Sequence, residues 1–174
     1  DEMGEDYARL AGLTAEEDLT EPLAQSMKKR LPWLFVLLGL GLLVSTVVGA
    51  FEQVVSQLTL IMCFQSLILD MAGNVGTQSL AVTIRVLMDE NLTFRQKFGL
   101  VVKEVRIGSA NGLLLGLASF VLIGLYIWLF RGRDLMTAFA VSGCIGFSLL
   151  VAMAISSAVG TLIPLFFKKI NIDP

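Results

Sequence analysis

The stretch Asp70-Met71-Ala72-Gly73-Asn74-Val75-Gly76-Thr77-Gln78-Ser79 sets a carboxylate, two carboxamides and two hydroxyls inside a run that is apolar on both sides, residues 58–69 before it and 80–84 after it. Burying such groups unpaired costs several kcal/mol, so at membrane depth they must face protein or water. On an α-helix Asp70, Asn74 and Gln78 are successive i, i+4 positions. They form one stripe of oxygen donors at ~6 Å steps, with Thr77 one position to the side. Gly73 and Gly76 remove side-chain bulk beside the stripe. All these donors are hard oxygens, which points to a hard cation such as Mg2+ or Ca2+. Mg2+ sheds water reluctantly, so neutral amide oxygens suit a hydrated ion in a wide passage. Asp70, Gly73, Asn74, Gly76, Thr77 and Gln78 are therefore the expected pore lining, with Asp70 also a candidate metal ligand. The alternative for Asn74 and Gln78 is hydrogen bonding across helices as structural glue.

Other chemistry is scarce. The chain has no histidine, which removes imidazole metal sites and imidazole acid–base catalysis. Cys63 and Cys144 lie in apolar runs and are expected to be small buried hydrophobes, not a disulfide or zinc pair. No nucleophile–base pair is visible, so the chain is not expected to be an enzyme.

Composition sets the surroundings of the stripe. The 174 residues are 55% hydrophobic and 16% charged, against roughly 25% charged in a soluble domain, and the mean hydropathy is +0.77. This predicts an all-α polytopic transmembrane bundle with the lipid bilayer as its partner and no nucleic acid. Eight acidic residues fall in the first 21 positions against one basic residue, Arg9. That opening lacks the basic n-region of a signal peptide, and both chain ends look like cut edges of a longer protein.

Residues 1–31 are expected to be one or two short helices outside the membrane, the last of them amphipathic and starting near Pro22. Spans are expected at about 32–50, 54–85, 107–130 and 135–167, with residues 89–103 a charged connection and the fourth span ended by Pro164 and Lys168-Lys169. One set of span ends carries Lys28, Lys29, Arg30, Arg85, Arg95, Lys97, Lys103, Arg106, Lys168 and Lys169; the other carries only Arg131 and Arg133. The bias predicts a cytoplasmic amino terminus. Asp70 then lies ~24 Å along the second span, in the inner half of the bilayer. Gly108, Gly112 and Gly116 share a helix face that would let another helix approach closely. Glu52 is expected at the outer boundary and Glu104 in a surface ion pair with Lys103 or Arg106. Asp173 is either a helix-start residue or a ligand at the cytoplasmic mouth.

Together these features resemble the membrane domain of the MgtE family of magnesium channels. The matching pieces are Pro22-Leu23, Arg30-Leu31-Pro32-Trp33-Leu34, the Met71–Ser79 core with its Gly-Asn-x-Gly-x-Gln-Ser pattern, the glycine face of the third span, and Val159-Gly160-Thr161-Leu162-Ile163-Pro164 leading to Asp173-Pro174. The resemblance implies a homodimer in the inner membrane that passes Mg2+ into the cytoplasm through a pore at the dimer interface. It implies five membrane helices per subunit, the second and fifth lining the pore, and cytoplasmic N and CBS sensor domains that close it through a plug helix. Residues 1–31 would hold the end of the CBS region and that plug-like helix. Asn74 would line the pore and Asp173 would belong to the cytoplasmic mouth. The sensor domains are not in these 174 residues, so Mg2+-dependent gating should be lost or weakened. The family's ion-selecting carboxylate belongs to a fifth helix, which would begin at about residue 174, so no residue here takes that role. Two other readings are an ion-coupled secondary transporter half, marked by Na+- or H+-dependent flux, and a non-transporting scaffold whose stripe only mediates association.

Overall fold

The computed structural model describes residues 22–51, 59–89 and 93–169, and all regular structure among them is helical. Residues 1–21, Glu52 and Asp173, named in the expectations above, lie outside the described residues. The helices are α1 (Leu23–Ala50), α2 (Thr59–Met62), α3 (Gln65–Asp89), α4 (Phe94–Arg131) and α5 (Leu135–Lys169). They fall into two units, the first containing α1 and the second the other four.

Among the described residues of the first unit there is one unbroken helix, α1. The basic segment Lys28-Lys29-Arg30 and the apolar span continue through Pro32. Proline fixes a helical φ and costs one backbone hydrogen bond, which a long apolar helix tolerates. The 28 residues of α1 extend ~42 Å, more than the ~30 Å of a hydrocarbon core. None of its residues is buried, and its large apolar side chains point to every side. α1, α4 and α5 are long and apolar enough to cross a membrane.

In the second unit α4 and α5 form an antiparallel pair. Their turn uses Gly132 in the left-handed region (φ 61°), where a glycine costs least. Asp134 then starts α5: its Oδ2 accepts the Thr137 N–H at 2.9 Å. That bond holds the Asp134 carboxyl below the usual carboxylate range.

The α4–α5 seam is built from backbone contact. A Cβ on Gly112 would lie 2.8 Å from the Leu150 Cα, and one on Gly116 would lie 2.7 Å from the Gly146 carbonyl oxygen. One on Gly108 would meet the Ser157 Cβ at 2.6 Å. Only glycine permits this approach, which gains dispersion contacts where lipid offers no hydrophobic drive. Toward the turn the seam thickens into a cluster of Ile123, Ile127, Ala138, Val141, Ile145 and Leu149.

α3 lies along α5, with α5 between it and α4. Leu60, Ile61, Phe64, Ile68 and Met71 cover the apolar cluster. Further along, Ser79 reaches Ser157, and Lys168 Nζ donates to the Leu87 carbonyl near the end of α3. Both pairings advance together, so α3 runs parallel to α5.

Several boundaries differ from expectation. The second span is two helices, broken by a turn at Cys63-Phe64; both are apolar residues that carry no break signal. The charged connection is mostly helical. α4 begins at Phe94 because the Thr93 N–H donates to Gln96 Oε1 at 2.8 Å and caps the end. α5 passes through Pro164 to Lys169. Cys63 and Cys144 are exposed, not buried; a lipid-facing helix surface is as apolar as a core, so hydropathy does not separate the two.

Candidate functional site: the open polar face of α3

The stripe exists on one continuous helix. Asp70, Gly73, Asn74, Thr77 and Gln78 are all exposed. At about 100° per residue, Asp70, Asn74 and Gln78 lie roughly 160–240° around the axis from Ala72, while Gly76 and Ser79 lie within about 40° of it. The Ala72 side faces α5: the Ser156 hydroxyl donates to the Ala72 carbonyl at 2.6 Å, and Ser79 Oγ lies 2.8 Å from Ser157 Oγ. The carboxylate and the amides thus occupy the side of α3 turned away from α5. The Asp70, Asn74 and Gln78 side chains have no hydrogen-bond or ion-pair partner among the described residues. Thr77 shares its one hydroxyl proton within its own helix, with the Asn74 carbonyl at 2.9 Å and the Gly73 carbonyl at 3.2 Å. Gly73 has no atom within 4 Å of where its Cβ would stand.

Gly76 departs from the expected set. A Cβ there would collide with Ser156 Oγ, and one on Gly160 would collide with the Gly76 carbonyl oxygen. Gly76 therefore sits in the seam with α5, where it permits backbone contact, and not on the open stripe.

Glu104 also departs. It is 4% exposed, not in a surface ion pair, and its backbone carbonyl accepts the Ser157 hydroxyl at 2.7 Å. Ser79, Thr83, Ser157 and Thr161 are buried as well, the two threonines bonded to the Ser79 and Ser157 carbonyls of their own helices. Ser156 and Ser157 are not among the expected site residues. The missed signal is that two adjacent hydroxyls in an apolar helix need acceptors, and neighbouring backbones supply them.

The metal-ligand atoms of the stripe are oxygens, and no group of three or more acidic or cysteine side chains suited to a fixed metal occurs among the described residues. Single oxygens in a row suit a passing hydrated cation better than a tightly held one. The second unit also matches a known family: the MgtE model, described as divalent cation transporter, covers residues 65–174. The chain belongs to the MgtE family. It is 37% identical to the magnesium transporter MgtE of Enterococcus faecalis over 177 residues, covering 100% of this chain and 36% of that protein. It is 31% identical to that of Bacillus subtilis over 173 residues, 99% of this chain and 36% of the relative. The magnesium transporter MgtE of Thermus thermophilus is 30% identical over 145 residues, 83% of this chain and 30% of the relative. The chain thus spans about a third of the length of the curated MgtE relatives it matches.

Proposed function

We propose that this chain is the membrane part of an MgtE protein that conducts Mg2+ into the cytoplasm, and that the open face of α3 lines the path. The cargo is suggested by the relatives, which carry the name magnesium transporter. The observation that carries the assignment is the placement of Asp70, Asn74, Thr77 and Gln78 opposite the face of α3 that packs on α5. Such a face is costly against lipid, and a second copy of the chain would enclose it. Two facing stripes would give a wet seam lined by carboxylate and amide oxygens, with Gly73 keeping it wide. Mg2+ is the transported ion and a transient ligand. The N and CBS sensor domains would control the seam from the cytoplasm. Each elementary charge moved through 100 mV is worth ~2.3 kcal/mol, so a divalent cation enters an inside-negative cell without a coupled energy source.

The direct test is Mg2+ influx into liposomes holding the full-length protein. Asn74→Ala should change the flux at least about fivefold, the effect of one lost polar contact of ordinary strength, while the dimer persists on size exclusion. Unchanged flux rejects the assignment. The proposed orientation places the amino terminus and the ends of α3 and α5 in the cytoplasm of a multi-pass inner-membrane protein. Cysteine in place of Arg131 or Arg133 should then react with an impermeant reagent added outside intact cells. Reaction only from the cytoplasmic side overturns the orientation.

A further inference from the structure

We infer that Ser156 and Ser157 of α5 are positioning residues that fix the rotation of α3 about its own axis, and so fix which way the conduction stripe looks. The inference rests on the proposed conduction path. Ser157 has one hydroxyl proton, and it donates that proton to the Glu104 carbonyl at 2.7 Å, a group that only accepts. The Ser79–Ser157 pair at 2.8 Å must then have Ser79 as donor. The bonds form a directed chain, Ser79 hydroxyl to Ser157 hydroxyl to Glu104 carbonyl, which joins three helices. Both hydroxyls are buried, Ser79 at 3% and Ser157 at 0% exposed, so water does not compete for them.

Ser156 supplies the second point. Its hydroxyl donates to the Ala72 carbonyl at 2.6 Å. In a helix that carbonyl already accepts the N–H four residues on, from Gly76, and it keeps a second lone pair; a Cβ at position 76 would stand where the Ser156 hydroxyl lies. Gly76 has no side chain, so Ser156 reaches the oxygen. The two anchor points on α3, Ala72 and Ser79, are seven residues apart, ~10.5 Å along the axis and about 20° apart around it. Bonds to two separate residues on one side of α3 oppose its rotation, and they add to the close backbone contact of Gly76 with Gly160. A shift of one residue would turn the stripe by about 100° and carry Asn74 out of the seam.

The test is cysteine accessibility in the full-length protein in liposomes, with Cys63 and Cys144 replaced by alanine and a water-soluble thiol reagent as probe. With both serines present, cysteines at Asn74 and Gln78 should react and those at Val75 and Leu80 should not. In the Ser156→Ala, Ser157→Ala double variant, reaction at 74 and 78 should slow about five- to tenfold, reaction at Val75 or Leu80 should appear, and Mg2+ flux should fall by a similar factor. An unchanged pattern and flux in the double variant overturn the inference. If the double variant fails to form a monodisperse dimer, Ser156→Ala alone decides: it leaves the buried Ser79–Ser157–Glu104 chain intact and should still slow labelling at position 74, and no slowing overturns the inference. Failure of the conduction reading looks different, because position 74 would then be unreactive with both serines in place.

Discussion

The two sides of α3 use their polar groups oppositely. On the side facing α5, Ser79 and the Ala72 carbonyl are each matched to a serine at 2.6–2.8 Å, and Gly76 has backbone against it. On the other side, Asp70, Asn74 and Gln78 are exposed and lack partners among the described residues, and Gly73 has open space around it. Hydroxyls are short and satisfy themselves at a close helix–helix contact. Carboxylate and amide groups are longer, and their oxygens suit a cation in water. Polarity alone does not mark a conduction face; the reach of the polar group and the presence of a partner do.

The comparison breaks most sharply at its glycines. Gly76→Leu forces a side chain into the α3–α5 contact and should cost at least about 3 kcal/mol of stability, read as loss of monodisperse protein on heating in detergent. Gly73→Leu, three residues away, should leave that stability within about 1 kcal/mol and instead lower Mg2+ flux at least about tenfold by filling the open side. Equal thermal behaviour of the two variants would contradict the assignment of faces.

A smaller contrast lies one residue apart. Ser79→Ala leaves the Ser157 oxygen without its donor and should cost about 1 kcal/mol. Gln78→Ala should change stability by no more than about 0.5 kcal/mol while reducing flux. The smallest effect lies away from α3, at the Asp134 cap. Its carboxyl is held below the ordinary range by the Thr137 N–H. A lowered pKa means that the cap stabilises above the ordinary carboxylate range and that the benefit is lost as pH falls through the lowered value. Asp134→Ala should therefore lower the thermal midpoint slightly at neutral pH and lose the difference in strong acid, measured as melting curves across pH.

Much of this was legible in the residues. The i, i+4 spacing of Asp70, Asn74 and Gln78 put them on one face whatever the tertiary structure, and the glycine spacing in α4 announced a close helix contact. The side of α3 that Gly76 joins was not legible, since at about 160° from Asn74 on the helix its allegiance depends on where α5 lies. The burial of Glu104 was hidden by Lys103 and Arg106 beside it, which suggested a solvated segment. The helices continue through Pro32 and Pro164, because proline stops a helix in water more readily than in an apolar setting, where leaving the helix exposes backbone groups. The turn at Cys63-Phe64 has no polar, glycine or proline signal at all.

The most direct test of the central claim is single-cysteine reactivity along α3, from position 70 to position 80, in full-length protein in liposomes. Reaction with a water-soluble thiol reagent should peak at 70, 74 and 78 and slow when Mg2+ is added, with 72, 75, 76 and 79 silent. Uniform silence along the helix, or peaks on the Ala72–Ser79 side, would contradict it.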